Sequence, residues 1–139
     1  MLKISAIIQA RLGSSRLPGK ILLDLVPNKT ALECMLDRVA KSKLINNLVI
    51  ATTNSDKDQR LVDFLQAKQI NFVRGSEEDV LARYYQSAQS DHQADDIIVR
   101  LTSDCPVIDY RIIDKVVQFY LDNDFDFVSN SLEPYSFPD

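Results

Sequence analysis

The sequence predicts a three-layer α/β fold with a mostly parallel sheet, on the strength of three observations. Apolar, β-branched runs of strand length recur along the chain, segments with apolar residues at helical spacing separate them, and the connections between the two are short. Alternation of this kind calls for parallel strands joined by crossovers, with helices on both faces of the sheet.

Five strands are expected, at residues 4–8, 48–53, 71–73, 97–102 and 125–129. The run 97–102 (IIVRLT) is apolar enough to be expected in the centre of the sheet. Helical spacing connects Leu32, Met35, Leu36 and Val39, then Leu61, Phe64 and Leu65, then Val80, Leu81, Tyr84 and Ala88, and finally Ile112, Ile113, Val116, Val117 and Tyr120. In the third of these helices Ser76 reads as the N-cap, with Asp79 three residues later in a box-like pattern, and Arg83 as the surface ion-pair partner of Asp79. Adjacent Tyr84 and Tyr85 cannot both face the core, so one is expected buried and one half-exposed. Residues 1–139 contain no internal repeat or linker and read as one domain. The ending SLEPYSFPD is Pro-rich and carries no helix signal, which suggests a domain truncated at its C-terminal end.

Composition narrows the function. A chain that is 45% hydrophobic and 26% charged is an ordinary globular one, and no apolar stretch reaches the length of a membrane span. The start MLKISAIIQAR lacks a signal-peptide cleavage region, so a cytoplasmic location with no membrane partner is expected. Cys34 and Cys105 form neither a CxxC pair nor a disulfide framework and are read as reduced thiols. A net charge of −4 argues against nucleic-acid binding, yet residues 1–50 hold eight Lys or Arg against three Asp or Glu. That local basic excess suits a small polyanion, although chance clustering on a solvated face accounts for it about as well.

In open α/β sheets ligands lie beyond the carboxyl ends of the strands, which directs attention to the loops there. The loop after the first strand, QARLGSSRLPGK (residues 9–20), combines two glycines, two serines and the cations Arg11, Arg16 and Lys20. Glycine lets backbone N–H groups approach an anion, serine adds donors, and the cations supply charge to phosphate oxygens. It is no Walker A loop, because five residues separate Gly13 from Gly19 and Ile21 stands where Ser or Thr is required. The density of these features favours phosphate binding over an incidental polar turn. Gly13, Gly19 and Gly75 are the chain's only glycines, and all three follow expected strands. Arg74, Gly75 and Ser76 could approach a base or ribose, although capping alone accounts for Ser76. Asp104, after the fourth strand, is placed to hold Mg2+ against phosphate oxygens. Capping the next helix, or pairing with Arg11, would explain it too, and the cationic loop nearby favours the metal. Cys105 has no histidine partner, since the single His92 falls at the end of a polar helix and is expected to be exposed.

Taken together, AIIQARLGSSRLPGK, VIATT, FVRGSEEDVLARYYQSA, IIVRLTSDCPVIDYRIID and FDFVSNS closely resemble the cytidylyltransferases, and most of all their spore-coat polysaccharide branch. The resemblance covers nearly the whole chain and implies a Rossmann-like nucleotidyltransferase fold. It places Ala10, Arg11, Gly13, Ser14, Arg16 and Lys20 around CTP phosphates, Arg74, Gly75 and Ser76 near the nucleoside, and Asp104 at the metal. The implied reaction is in-line attack by a hydroxyl of a sugar or sugar acid on the α-phosphorus of CTP, with Arg16, Lys20 and Asp104 as the catalytic set and pyrophosphate released. Ser103 stands where the branch often has glycine. Family members also continue past this length with elements for sugar binding, dimerisation and further acidic ligands, so a homodimer is expected by analogy alone. Two rivals remain. One is a nucleotide-binding module or inactive fragment without turnover. The other, a glycosyltransferase, would need a DxD motif after a strand, whereas Asp122-Asn123-Asp124 and Asp124-Phe125-Asp126 precede one.

Overall fold

Strand β1 (Ile4–Gln9) is buried from Ile4 to Ile8, the property of a strand covered on both faces. The computed structural model, which describes residues 2–90 and 92–131, shows what covers it. Residues 132–139, with most of the Pro-rich ending, lie outside the described residues. β1 pairs in parallel with β4 (Asn47–Thr53) on one side and with β6 (Ile97–Thr102) on the other. β5 (Phe72–Gly75) adds to β4, also in parallel, so the order is β5-β4-β1-β6.

Alternation along β1 sorts the layers. Ile4, Ala6 and Ile8 share one core with Leu32, Met35 and Val39 of α1 (Ala31–Val39), Leu61 and Leu65 of α2 (Gln59–Ala67), and Ile113 and Val117 of α4 (Tyr110–Leu121). Ile7 packs instead with Ala51 of β4 and Tyr84 of α3 (Val80–Gln89) on the opposite face. The result is the expected three-layer α/β/α architecture, with α1, α2 and α4 on one side and α3 on the other. From β1 the chain steps outward through β4 and β5, then returns to lay β6 on the far side of β1. The reversal between β1 and β6 is the topological switch point, where such sheets open a crevice for ligands.

Several expectations need correction. β6 lies at the sheet edge and not in its centre. Its residues alternate, Ile97, Val99 and Leu101 facing the core while Ile98, Arg100 and Thr102 remain exposed, so the apolar run is amphipathic. Residues 125–129 form no strand. The Phe125 ring stacks on Phe119 of α4, with centroids 5.8 Å apart, and this holds the segment against the helix. A small antiparallel hairpin, β2 (Asp24–Val26) and β3 (Lys29–Thr30), was not foreseen; Pro27-Asn28 turns it, with Asn28 in the left-handed region at φ 61°. Leu81 is 75% exposed and outside the core, whereas Tyr84 is buried and Tyr85 exposed as expected. His92 is half-buried and not exposed. Its Nδ1 donates to the Ala88 carbonyl (2.7 Å) and its Nε2 hydrogen-bonds the Ser5 hydroxyl (2.5 Å), fastening the end of α3 to β1.

The hairpin delivers Thr30 to the start of α1, where it forms a capping box with Glu33: the Glu33 amide donates to Thr30 Oγ1 and the Thr30 amide to Glu33 Oε2. Lys68, following α2, closes on the same carboxylate at 2.7 Å. The Lys68 hydrogen bond first, and that of the Thr30 amide next, lower the Glu33 pKa from 4.5 to about 2. A carboxylate depressed by folding contributes stability above its unfolded pKa and loses it as pH falls through the folded one. The difference in melting temperature between the chain and its Glu33→Gln variant is therefore expected to be full at neutral pH and to shrink between about pH 4.5 and 2. A pH-independent difference across that window would refute the linkage.

Candidate nucleotide site

The switch point brings two loops together. The Ser103 amide donates to the Gln9 carbonyl (3.1 Å), so the loops leaving β1 and β6 start side by side. Ala10 is buried, its amide bonded to the Ala51 carbonyl (3.1 Å), and it anchors the first loop to the sheet. From there the chain emerges. Arg11, Arg16 and Lys20 are all exposed, and none forms a hydrogen bond or ion pair through its side chain among the described residues. Ser14 Oγ accepts from the Leu17 amide (3.3 Å), shaping the loop internally.

The loop is held from below by a residue the sequence reading overlooked. Asp58 is 2% exposed, accepts from the Leu12 amide at 2.6 Å, and also accepts from the Thr53 hydroxyl. One carboxylate thus ties the cationic loop to the end of β4 and the start of α2. Only the position of Asp58, just after a strand, could have signalled this. Beside it a cleft of about 390 Å³ opens, lined by Leu12, Gly13, Pro18, Gly19, Lys57 and Arg60, the last two being further cations that the sequence reading did not weigh.

The three glycines serve three ends. Gly19 adopts φ 69°, where other residues are strained, and its amide closes the loop onto the Leu12 carbonyl (2.9 Å). A Cβ on Gly13 would meet nothing within 4 Å, which leaves its backbone open to an approaching group. A Cβ on Gly75 would fall 3.1 Å from Arg83 Cγ and 3.4 Å from Arg83 Cα, so this glycine lets α3 pack against the end of β5.

The second predicted loop is occupied with structure. The Arg74 guanidinium donates to the Thr53 and Ser55 carbonyls (2.9 and 3.1 Å) and to Gln59 Oε1 (3.0 Å), which turns it towards the β4–α2 connection. Ser76 is not the N-cap of α3. Asp79 is, accepting from the Ala82 amide (2.8 Å), and Ser76 Oγ receives the Asp79 amide one turn earlier (3.0 Å).

Arg83 departs most from expectation. It is not the surface partner of Asp79 but is 0% exposed, packed against Gly75 at the end of β5. Its Nη1 donates to the Ser76 carbonyl (3.1 Å), whereas Nε and Nη2 are buried with no partner among the described residues. Burial first, and the Arg11 guanidinium second, push its pKa down from the ordinary arginine value.

Across the switch point, Asp104 is exposed after β6 and accepts from the Thr102 hydroxyl (2.5 Å). A single exposed carboxylate is a donor that magnesium accepts, since that ion commonly takes one or two carboxylates and keeps water. Among the described residues no group of three or more His, Cys, Asp or Glu could form an all-protein cage. Both cysteines are free and half-buried. No helix of the described residues is long and apolar enough to cross a membrane.

Comparison with known proteins fits this geometry. Residues 5–137 match the cytidylyltransferase family. The spore coat polysaccharide biosynthesis protein SpsF of Bacillus subtilis is 36% identical over 131 residues, which cover 90% of this chain and 53% of that protein. A cytidylyltransferase structure from Leptospira borgpetersenii superposes with a TM-score of 0.78 at 41% identity, over 88% of this chain and 50% of that one. The structure of CMP:2-keto-3-deoxy-manno-octonic acid synthetase complexed with CTP does so with 0.71 at 27% identity, over 87% and 48%. The chain spans about half the length of the curated relatives it matches. With a Rossmann-like sheet, a cationic loop at its switch point and a family match over almost its full length, this chain belongs to the cytidylyltransferase family.

Proposed function

We propose that this chain forms the nucleotide-binding half of a cytoplasmic enzyme that transfers CMP from CTP to a sugar or sugar acid, releasing pyrophosphate, in surface or spore-coat polysaccharide biosynthesis. The observation that carries the proposal is the loop after β1, which presents Arg11, Arg16 and Lys20 at the switch point of the sheet without acidic partners among the described residues. Three unpaired cations around an open Gly13 backbone suit a triphosphate and little else in a chain of net charge −4. In this reading Arg11 positions the phosphates, and Arg16 and Lys20 stabilise charge that develops on the leaving pyrophosphate. Mg2+, when bound by Asp104, supplies neutralising charge to the α-phosphate. The acceptor hydroxyl attacks the α-phosphorus in line with the leaving pyrophosphate.

Calorimetric titration with CTP, UTP, ATP and GTP, each with and without magnesium, tests the proposal. CTP is expected to bind best and to bind more tightly with magnesium, and Asp104→Ala is expected to abolish the magnesium increment while leaving the metal-free affinity in place. Absence of triphosphate binding by a folded sample would refute it. A second reading, a module that holds nucleotide without turnover, draws support from the chain's half-length match to its relatives. It predicts the same titrations with no pyrophosphate released in the presence of any acceptor.

A further inference from the structure

We propose that Arg83 is a phosphate-binding residue of the nucleotide site, a buried guanidinium whose partner is an anionic oxygen of the bound triphosphate; the proposal rests on reading the crevice as that site. A fully buried cation normally has a carboxylate beside it, because removing the charge from water is costly. Arg83 has none. Asp58 and Glu77 are the acids whose charge it feels, but Asp58 is engaged by Leu12 and Thr53, Glu77 approaches Lys57 (3.8 Å), and neither pairs with Arg83. The neighbouring charge that acts on it most is a second cation, Arg11. The two guanidiniums, one buried and one exposed, repel each other until an anion joins them.

The position of Arg83 agrees with this assignment. Its stem passes Gly75 at the end of β5, its Nη1 grips Ser76, and its charge interacts with Asp58 after β4 and Arg11 after β1. The guanidinium therefore lies at the carboxyl end of β5, within reach of the charges that follow β4 and β1. Arg11 is exposed and held by no partner among the described residues, so it is free to swing and admit a phosphate to the unsatisfied Nε and Nη2. Binding would then convert an unpaired buried charge into a charge-assisted pair. Arginine suits the task better than lysine because its fork spans two phosphate oxygens.

The test compares the chain with Arg83→Met, which keeps an apolar stem and removes the charge, and with Arg83→Lys. Melting temperature is read without ligand, and affinities are read for CTP, inorganic pyrophosphate and cytidine. Arg83→Met is expected to melt no lower than the parent and to bind CTP and pyrophosphate at least about tenfold more weakly, with cytidine unaffected. Arg83→Lys is expected to fall between the two. A lower melting temperature with unchanged pyrophosphate affinity would make Arg83 structural and overturn the proposal. Loss of CTP and cytidine binding with pyrophosphate unaffected would assign Arg83 to the nucleoside and overturn it too. If Arg83→Met does not fold, the Arg83 Nε–H resonance, identified by its disappearance in Arg83→Lys, decides the matter: it must shift on addition of pyrophosphate, and an unmoved signal refutes the proposal. Failure of the parent chain to bind either CTP or pyrophosphate would overturn the nucleotide reading itself, whereas parent-like binding by Arg83→Met overturns only the role of Arg83.

Discussion

Lys20→Ala is expected to weaken CTP binding by between about ten- and a hundredfold while leaving the melting temperature unchanged. Both halves of that expectation come from the same facts. Lys20 follows Gly19, whose left-handed conformation turns the chain at the end of the loop, and only the Lys20 backbone joins the 3-10 turn Lys20–Leu22. The ammonium is exposed and has no partner among the described residues, so its removal sacrifices no folding interaction there. A charge-assisted contact to a phosphate is among the stronger hydrogen bonds, and its loss falls entirely on the complex. Calorimetry and a thermal melt on the same samples check the two halves separately. Unchanged affinity would remove Lys20 from the site, and a large drop in melting temperature would show that the loop contributes to the fold in a way its contacts do not reveal.

Asp58→Ala is expected to act in the opposite sense, lowering stability by about 3 kcal/mol, or roughly 10 °C in melting temperature. The Leu12 amide and the Thr53 hydroxyl would both lose their acceptor at a position that is 2% exposed to water. The cationic loop would lose its tether at the same time, so nucleotide affinity should fall although Asp58 itself is no ligand. Asp58→Asn keeps an oxygen for Leu12 and offers an amide to Thr53, and should recover much of both losses. Thermal denaturation of the two variants provides the check, and equal damage from Asn and Ala would show that the charge of Asp58 matters more than its hydrogen bonds.

The cationic loop was legible in the sequence because its chemistry is local. Glycines, serines and three cations within a dozen residues after a strand leave few other readings, and the helix–strand alternation that places the loop is a periodic signal. What was not legible depends on tertiary packing. Arg83 stands four residues after Asp79, the spacing of a surface ion pair, and nothing local reveals that α3 turns Arg83, Tyr84 and Ser87 inward and leaves Leu81 outside. Arg74 presents the same difficulty, since nothing in its motif reveals that three acceptors on the β4–α2 connection hold its guanidinium. β6 was misjudged because a run such as IIVRLT looks continuously apolar until one sees that only one face has a helix over it. The hairpin before α1 was missed because its strands are only three and two residues long, too short for any periodicity to register.

The order β5-β4-β1-β6 also bears on how the molecule is assembled in time. β1, β4 and β5, with α1 and α2, lie close together along the chain and close contacts between near neighbours, which form fast. β6 is different, for Ile4 must find Ile97 across nearly the whole intervening chain, and the loop closed by that pairing is the longest in the sheet. The crevice between β1 and β6 does not exist until this strand docks. The crevice is therefore a product of the longest-range pairing in the sheet, and a substitution that weakens the β1–β6 pairing acts on the crevice as well as on the fold.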